Sequence, residues 1–386
     1  MTRPARIAWI SPFPPQASGV AAYACEVLAL LRTRWDIETF RDGEMTGKDE
    51  EKVRSSDLAL YHVGNNACFH SDAYRLAMRH PGIVILHDLC CHHLVADLTL
   101  ARGHFMRYLN LCWRSDGTDG WKTAVIHWLY GFQETLGFRI LCVKPLLKSS
   151  MGVLVHSQWA KRKLESICPN AHVLTIPFAV IGREYLQGKT CPSAEREPFD
   201  APIPTILLPG YTTSPKLPLD VLEVMARLSC RGNHARVVFA GYCSMRAELE
   251  RVSELLNITG QVIFTDALGS QDFHEVLSRC SICVCLRDPT AGESSATLWQ
   301  AMAHGKPCVV VDHGSYGEIP DGTVAKVSPG SHLLNELEDV LHKLIQDPLL
   351  AWTMGREAQR YIEKEHGPEQ VAEGYSIAIQ RFLDAR

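Results

Sequence analysis

Residues 285–312 read CLRDPTAGESSATLWQAMAHGKPCVVVD, and the order of residue types in this stretch decides the fold. An apolar run ends at Leu286 and reads as a buried strand. A polar loop carrying Arg287, Asp288, Gly292, Glu293, Ser294 and Ser295 follows, then a helical pattern, then the apolar run of Cys308–Val311. Two continuously apolar strands joined by a helix form a βαβ unit, in which the sheet is parallel and covered on both faces.

The same alternation extends in both directions. In the first half, RIAWIS, LALYHV, IVILHD, GVLVHS and HVLTIP read as buried parallel strands; in the second half, TILLPG, RVVFAG, VIFTD, ICVCL and PCVVVD do so. Right-handed crossovers then wind each set into a doubly covered layer. A chain of 386 residues suits two such domains. We expect an α/β protein with a first domain over 1–185, a linker over 186–204 rich in Pro and charge, and a second domain over 205–367. A C-terminal helix over about 368–386 is expected to pack back on the first domain. Ligands of open parallel sheets bind beyond the carboxyl ends of the strands. Polar or glycine-bearing segments stand there at 11–19, 87–88, 156–157, 210–216, 266–269 and 287–295, which suggests two sheets facing a cleft.

Composition removes several classes. Hydrophobic residues are 46% and charged residues 21%, ordinary for a globular protein, and the net charge of −4 argues against a nucleic-acid binder. The 14 cysteines lie largely inside apolar runs, as small buried hydrophobes do. The N-terminus lacks a signal-peptide core and no stretch is long enough to span a bilayer. A reducing, cytoplasmic compartment is expected.

Four segments carry chemistry. SPFPPQASGVAAY (11–23) passes from a strand through a Pro-rich loop to a helix opening at Ser18 and Gly19, where free N–H groups suit phosphate. LLPGYTTSPKLPLDVL (207–222) ends a strand at Gly210 and places Lys216 at a helix start, suited to a diphosphate or simply solvated. In the loop of 285–312, Arg287 offers a fork for phosphate oxygens. The amides of Ser294, Ser295 and Ala296 open a helix toward the same group, Glu293 suits sugar hydroxyls, and Gln300 suits a ribose. Helix capping by Ser294 or Ser295 is compatible with all of this. In IVILHDLCCHHL (83–94), His87 and Asp88 follow a strand directly and suit orientation of a substrate hydroxyl or proton relay. His92 and His93 are adjacent on a helix and point apart, so no metal site is expected with His87 and Asp88. Cys280 and Cys283 have no second ligand pair and read as core. The stretch 101–150 carries Tyr108, Trp113, Trp121, Trp128 and Tyr130 with seven basic and three acidic residues; it suits buried helical core, an acceptor site or a membrane surface.

Taken in order, these segments resemble the retaining GT-B glycosyltransferases of glycosyltransferase family 4 over nearly the whole chain. The likeness rests on SPFPPQASGVAAY, GVLVHSQWAKRKL with VLTIPFAV, GYTTSPKLPLDVL and, most specifically, GESSATLWQAMAHGKPCVV. It implies a GT-B fold of two Rossmann-like domains. It implies Gly19 near the donor diphosphate, Gly210 and Lys216 binding phosphate, Glu293 binding the donor sugar and His87 beside the transferred sugar. Asp266, Ala267 and Leu268 form the expected base-binding region. The chain departs from the family at Tyr211, where arginine is usual and Arg287 is the candidate replacement. It departs again at Gln300, in place of the second glutamate, and at Ser18, in place of glycine.

The expectation is a metal-independent transfer of a hexose-type sugar from a nucleotide-diphosphate donor, of UDP or GDP type, to a hydroxyl acceptor. No separate cofactor is implied, and peripheral contact with the inner face of the membrane is compatible with it. The rivals are a nucleotide-sugar epimerase on the same fold, a non-catalytic sugar-nucleotide-binding scaffold, and an NAD-dependent oxidoreductase. The last requires a G-x-G-x-x-G after a strand, which is missing.

Overall fold

The structure is a computed structural model and describes residues 5–16, 18–180 and 203–385. Of the expected linker, all but residues 203 and 204 lies outside them. Contacts divide the chain into two compact units: Met1–Ala179 with Ala291–Ser294 and Pro368–Arg386, and Val180–Thr290 with Ser295–Gly367.

The first unit holds β1 (Arg6–Ser11), α1 (Gly19–Leu31), β2 (Asp36–Arg41), α2 (Gly47–Ser55), β3 (Leu58–Val63), α3 (Ala67–Ala77), β4 (Ile83–Leu86), α4 (His92–Leu98), α5 (Phe105–Tyr130), α6 (Glu134–Gly137), α7 (Lys144–Ser149), β5 (Gly152–Val155), α8 (Gln158–Ile167) and β6 (Val173–Thr175). All strands are parallel, in the order β2-β1-β3-β4-β5-β6. β3, β4 and β5 are buried throughout because helices cover both faces, which is why their sequences are unbroken apolar runs. Trp9, Tyr61, Ile7, Ile10, Leu60 and Ile85 are among the largest fully buried side chains.

Helix starts follow capping chemistry. Ser18 accepts from Val20 N at α1, Asn66 from Cys68 N at α3, and Ser157 from Ala160 N at α8. The final helix, numbered below as α15 (Pro368–Asp384), belongs to this unit. Its Tyr375 hydroxyl bonds that of Tyr23 at 2.9 Å, and Phe382 packs on Gly152 of β5.

The second unit holds β7 (Thr205–Pro209), α9 (Pro218–Cys230), β8 (Arg236–Ala240), α10 (Arg246–Leu255), β9 (Val262–Phe264), α11 (Ser270–Arg279), β10 (Ile282–Val284), α12 (Ala296–Ala303), β11 (Cys308–Val311), β12 (Ala325–Val327), α13 (Leu333–Gln346) and α14 (Pro348–Glu365). Its parallel sheet runs β12-β11-β10-β7-β8-β9. Ile206, Leu208, Val237, Phe239, Val309 and Val311 pack with α9 and α13 into its core.

The two sheet orders fix where a ligand fits. In the second unit the chain winds outward from β7 to β9 and then restarts at β10 on the other side of β7, so strand order reverses between β7 and β10. In the first unit the reversal falls between β1 and β3. Crevices form beyond the carboxyl ends of strands at such reversals. Both units are therefore the parallel α/β architecture expected from the sequence. Among the described residues no helix is long and apolar enough to cross a membrane.

Candidate functional site

In the second unit, the reversal between β7 and β10 gathers the cationic groups. β7 ends at Pro209 and the chain turns at Gly210, whose φ of +79° lies in the left-handed region that favours glycine. A Cβ there would stand 3.0 Å from Thr297 Cγ2 and 3.3 Å from Lys216 Nζ, so the turn has no room for one. Lys216 ends a single 3-10 turn and is buried, its ammonium donating to Pro209 O at 2.5 Å. The loop after β10 is tied to this turn by Asp288 N, which donates to Pro215 O at 2.9 Å. The Arg287 carbonyl accepts from His313 Nε2 at 2.5 Å. Burial pushes the Cys285 thiol at the end of β10 up to about 12, while the charges of Lys216 and Arg287 pull it down. Both cations therefore bear on the same strand end.

The helix α12 opens beside them. Ser295 is its N-cap, accepting from Leu298 N at 3.3 Å and pairing with the Thr297 hydroxyl at 3.1 Å. Ser294, Ala296 and Gln300 are half-buried, Gln300 one turn into the helix. The helix N-terminus adds positive potential where Gly210 and Lys216 already stand. Asp266 and Ala267 are exposed and Leu268 is half-buried, at the end of β9. The Asp266 carboxylate pairs with Arg246 at 2.8 Å. Tyr211, at the arginine position of the family, is exposed and stacks on Tyr242 at 5.1 Å between ring centroids.

In the first unit, the reversal is lined by histidines. His87 follows β4 and is buried; its Nε2 lies 2.9 Å from Nδ1 of His62 on β3. His62 Nε2 is buried with no hydrogen-bond partner. A buried bare lone pair costs less than an orphaned N–H, so the favoured tautomer has His62 Nδ1–H donating and His87 carrying its proton on Nδ1. Burial lowers both rings well below the ordinary imidazole range, with His70 and His156 reinforcing the effect. At neutral pH they are uncharged. Tyr23 packs edge-on against His87 and His156, each at 5.4 Å.

Asp88 accepts Asn65 N–H at 2.7 Å. The segment Ala291–Ser294 clusters with this unit, Cys90 N donating to Ala291 O at 2.9 Å. Gly292 has φ +77°, and a Cβ on it would meet Leu89 Cδ1 at 2.3 Å. Burial pushes the Cys90 thiol up to about 12, and the charges of Asp88 and Glu293 add to it. His87, Asp88 and Glu293 are thereby brought to one neighbourhood. Gly19 is the exposed first residue of α1, with no atom within 4 Å of where its Cβ would stand, so backbone there is open to a ligand.

His92 and His93 turn elsewhere, to Tyr108 at 2.6 Å and Asn65 at 2.9 Å. A cavity of about 380 Å³ in this unit is lined by Arg75, Arg79, Arg102 and Arg107 with Tyr74 and Leu98. It lies at the carboxyl ends of α3 and α4, the end of the sheet away from the strand carboxyl ends, so we do not place the chemistry there. Sequence reading passed over His62, His70 and Tyr23. The available signal was the recurrence of histidine at the ends of LALYHV, IVILHD and GVLVHS.

Residues 204–347 match the family model of the glycosyl transferases group 1, so the chain carries that domain. No curated protein matches the sequence. Among solved structures, sucrose-phosphate synthase from Thermosynechococcus elongatus is similar at 15% identity and TM-score 0.64, over 99% of this chain and 100% of that one. HepE from Anabaena, in complex with UDP and glucose, is similar at 13% identity and TM-score 0.66, over 98% and 100%. WaaG, a glycosyltransferase involved in lipopolysaccharide biosynthesis, is similar at 13% identity and TM-score 0.61, over 95% and 98%. The shared feature is the fold of GT-B glycosyltransferases, and with the matched domain it supports a glycosyltransferase.

Proposed function

We propose that this protein transfers a hexose-type sugar from a nucleotide-diphosphate donor to a hydroxyl acceptor, with retention of anomeric configuration and without a catalytic metal ion. The observation that carries the reading is the buried Lys216 ammonium beside Gly210 and the start of α12, with Arg287 on the adjoining strand end. Negative charge grows on the diphosphate as the glycosidic bond breaks. Fixed cations and helix amides stabilise that charge without reorganising. Lys216, Arg287 and the amides of Ser294, Ser295 and Ala296 take this role, so no separate cofactor is needed. In the second unit Gln300 meets the ribose and the strand end at Asp266–Leu268 receives the base; in the first, Gly19 offers open backbone suited to phosphate.

Glu293 holds the hydroxyls of the transferred sugar. Neutral His87, oriented by His62, presents its Nδ1–H to that sugar, and Asp88 polarises the site. The acceptor attacks on the face from which the nucleotide leaves. The HepE structure holds UDP and glucose, which favours a UDP-type donor here. A cytoplasmic location fits the free thiols. Peripheral contact with the inner membrane face is supported by α5, where Met106, Trp113, Trp121, Trp128, Leu129 and Tyr130 are exposed.

The test is a thermal-shift panel of UDP, GDP, ADP, dTDP, their sugar conjugates and NAD, with no divalent cation added, followed by assay of nucleotide release. A ligand at a hundred times its Kd adds about 2.7 kcal/mol to native stability. The expected result is a shift with one nucleoside diphosphate and release that depends on a hydroxyl acceptor. Interconversion of the donor sugar without acceptor would make the protein an epimerase. Silence across the nucleotides, or a shift with NAD alone, refutes the transfer reading.

A further inference from the structure

The insert between β4 and β5 contains an arrangement that sugar transfer does not use. Its residues 131–143 carry one short helix, α6, yet several polar contacts hold them in place. Asp116 Oδ1 and Oδ2 accept from Leu141 N at 3.1 Å and Cys142 N at 3.0 Å. Cys142 has φ +53°, a conformation that residues with a Cβ adopt only where the surroundings impose it. That conformation brings its Sγ to 3.7 Å from Cys112 Sγ of α5. His92, at the start of α4, lies 2.9 Å through Nδ1 from Gly137 O; a carbonyl only accepts, so Nδ1 carries the proton and Nε2 keeps its lone pair. The ligand atoms of His92, Cys112 and Cys142 all lie within 4.8 Å of one another, and all three residues are buried.

We propose that His92, Cys112 and Cys142 bind a structural zinc ion that clips α4, α5 and the segment before α7 together. Zinc takes thiolate sulfur at about 2.3 Å and imidazole nitrogen at about 2.0 Å in a tetrahedron, which places two such sulfurs about 3.8 Å apart. The observed 3.7 Å separation meets this requirement before any movement. Charge closes as well: two thiols lose their protons to solvent on binding, and two thiolates neutralise the dication, so the buried centre is neutral. The bond from His92 Nδ1 to a backbone carbonyl is the outer contact that fixes tautomer and ring orientation in metal-bound histidines.

The Tyr108 hydroxyl stands beside the same ring nitrogen, 2.6 Å from His92 Nε2 and 2.8 Å from His127 Nδ1. Two ligands at about 2.0 Å on one tetrahedral zinc stand about 3.3 Å apart, so binding moves the phenol oxygen back from Nε2 by a few tenths of an ångström and leaves it as a weak fourth ligand. Soft sulfur with imidazole selects zinc over magnesium or manganese. The ion is a cross-link and takes no part in sugar transfer.

The test is metal analysis of the intact chain purified without chelator or metal-affinity resin. The expected content is about one zinc per chain, retained by Cys68→Ser at an exposed cysteine and lost by the double variant Cys112→Ser, Cys142→Ser. Protein expressed in cobalt-supplemented medium is expected to show thiolate-to-cobalt charge transfer and the intense visible bands of tetrahedral cobalt. This second readout uses the wild-type chain and stands even where the double variant does not fold. Wild-type protein that carries no zinc and shows no cobalt bands overturns the proposal. So does zinc that persists in a folded double variant, or a Cys112–Cys142 disulfide found by peptide mass mapping.

Discussion

Replacing Lys216 by methionine separates the charge at the end of β7 from the packing of the side chain that carries it. Methionine is similar in length and apolar, so it keeps most of the buried side-chain volume while removing the ammonium that stands beside Gly210. What is lost is a buried ammonium that donates to Pro209 O at 2.5 Å. For stability, the two consequences oppose each other. A hydrogen bond from a charged group contributes about 1.5–3 kcal/mol, and relieving the desolvation of a buried cation returns an amount of the same order. The net change in unfolding free energy is expected to stay within about 1 kcal/mol.

For the proposed sugar transfer nothing offsets the loss. At about 4 Å and an effective dielectric of about 20, a unit charge pair is worth about 4 kcal/mol. If about half of a further negative charge has reached the diphosphate in the transition state, about 2 kcal/mol of further pairing is specific to the bond-breaking step. This corresponds to about a 30-fold fall in kcat. Added to the ground-state pairing, this is about 6 kcal/mol against free enzyme and donor, about a 10⁴-fold fall in kcat/KM. Steady-state release of nucleotide, measured beside urea unfolding of the same preparation, gives both numbers. A variant whose kcat/KM stays within about threefold of the parent would show that Lys216 does not meet the donor. A variant that loses several kcal/mol of stability would show that the ammonium is structural.

Two further outcomes follow from packing and protonation. Gly152→Ala places a Cβ 2.0 Å from Phe382 Cζ, between β5 and α15; urea unfolding should record a loss of about 1–3 kcal/mol, and Phe382→Leu in the same chain should recover part of it, whereas an unchanged midpoint would mean that α15 does not pack there. Burial lowers His70 from 6.5 to about 4, so the unfolded chain takes up this proton first as pH falls: the stabilisation is complete above about pH 6.5 and is lost toward about pH 4. The difference amounts to about 3 kcal/mol, and the stability gap between the parent and His70→Gln should shrink between pH 7 and pH 4.5; a constant gap refutes the burial argument.

The strands legible in the sequence are those written as apolar runs: eight are flanked on both sides in their sheets, and two, β6 and β9, lie at edges. RIAWIS, LALYHV, IVILHD, GVLVHS and HVLTIP each contain a strand of the first sheet, and TILLPG, RVVFAG, VIFTD, ICVCL and PCVVVD each contain one of the second. The two strands that escaped notice, β2 (DIETFR) and β12 (AKV), are both edge strands. An edge strand has one neighbour, and in β2 and β12 the residues are mostly half-buried or exposed, so these two keep charged side chains and show no apolar run. The signal is a run of apolar residues, which β6 and β9 keep at their edges and which the charged positions of β2 and β12 interrupt.

The site divides along a similar line. Lys216, Gly210 and the loop from Arg287 to Ser295 are contiguous with strand ends, and a strand end is visible in one dimension. The histidine cluster is not. His62, His70 and His87 lie on β3, α3 and the end of β4, and only the register of a parallel sheet, pairing His62 with Ile85, brings them to one place. The same holds for His92, Cys112 and Cys142, separated in sequence by an interrupted helix and a loop. For all three the sequence supplied only residue types suited to ligation, and the convergence comes from the Asp116 carboxylate holding Cys142 in a left-handed turn. Replacing Asp116 by asparagine removes one of two carboxylate acceptors, so the proposed donor site at β7 and β10 should be indifferent to it while the segment 131–143 loosens. Residues read from strand ends and residues read from convergence therefore answer to different perturbations. A chain whose nucleotide affinity and insert stability fell together on that single change would contradict the separation of the two roles.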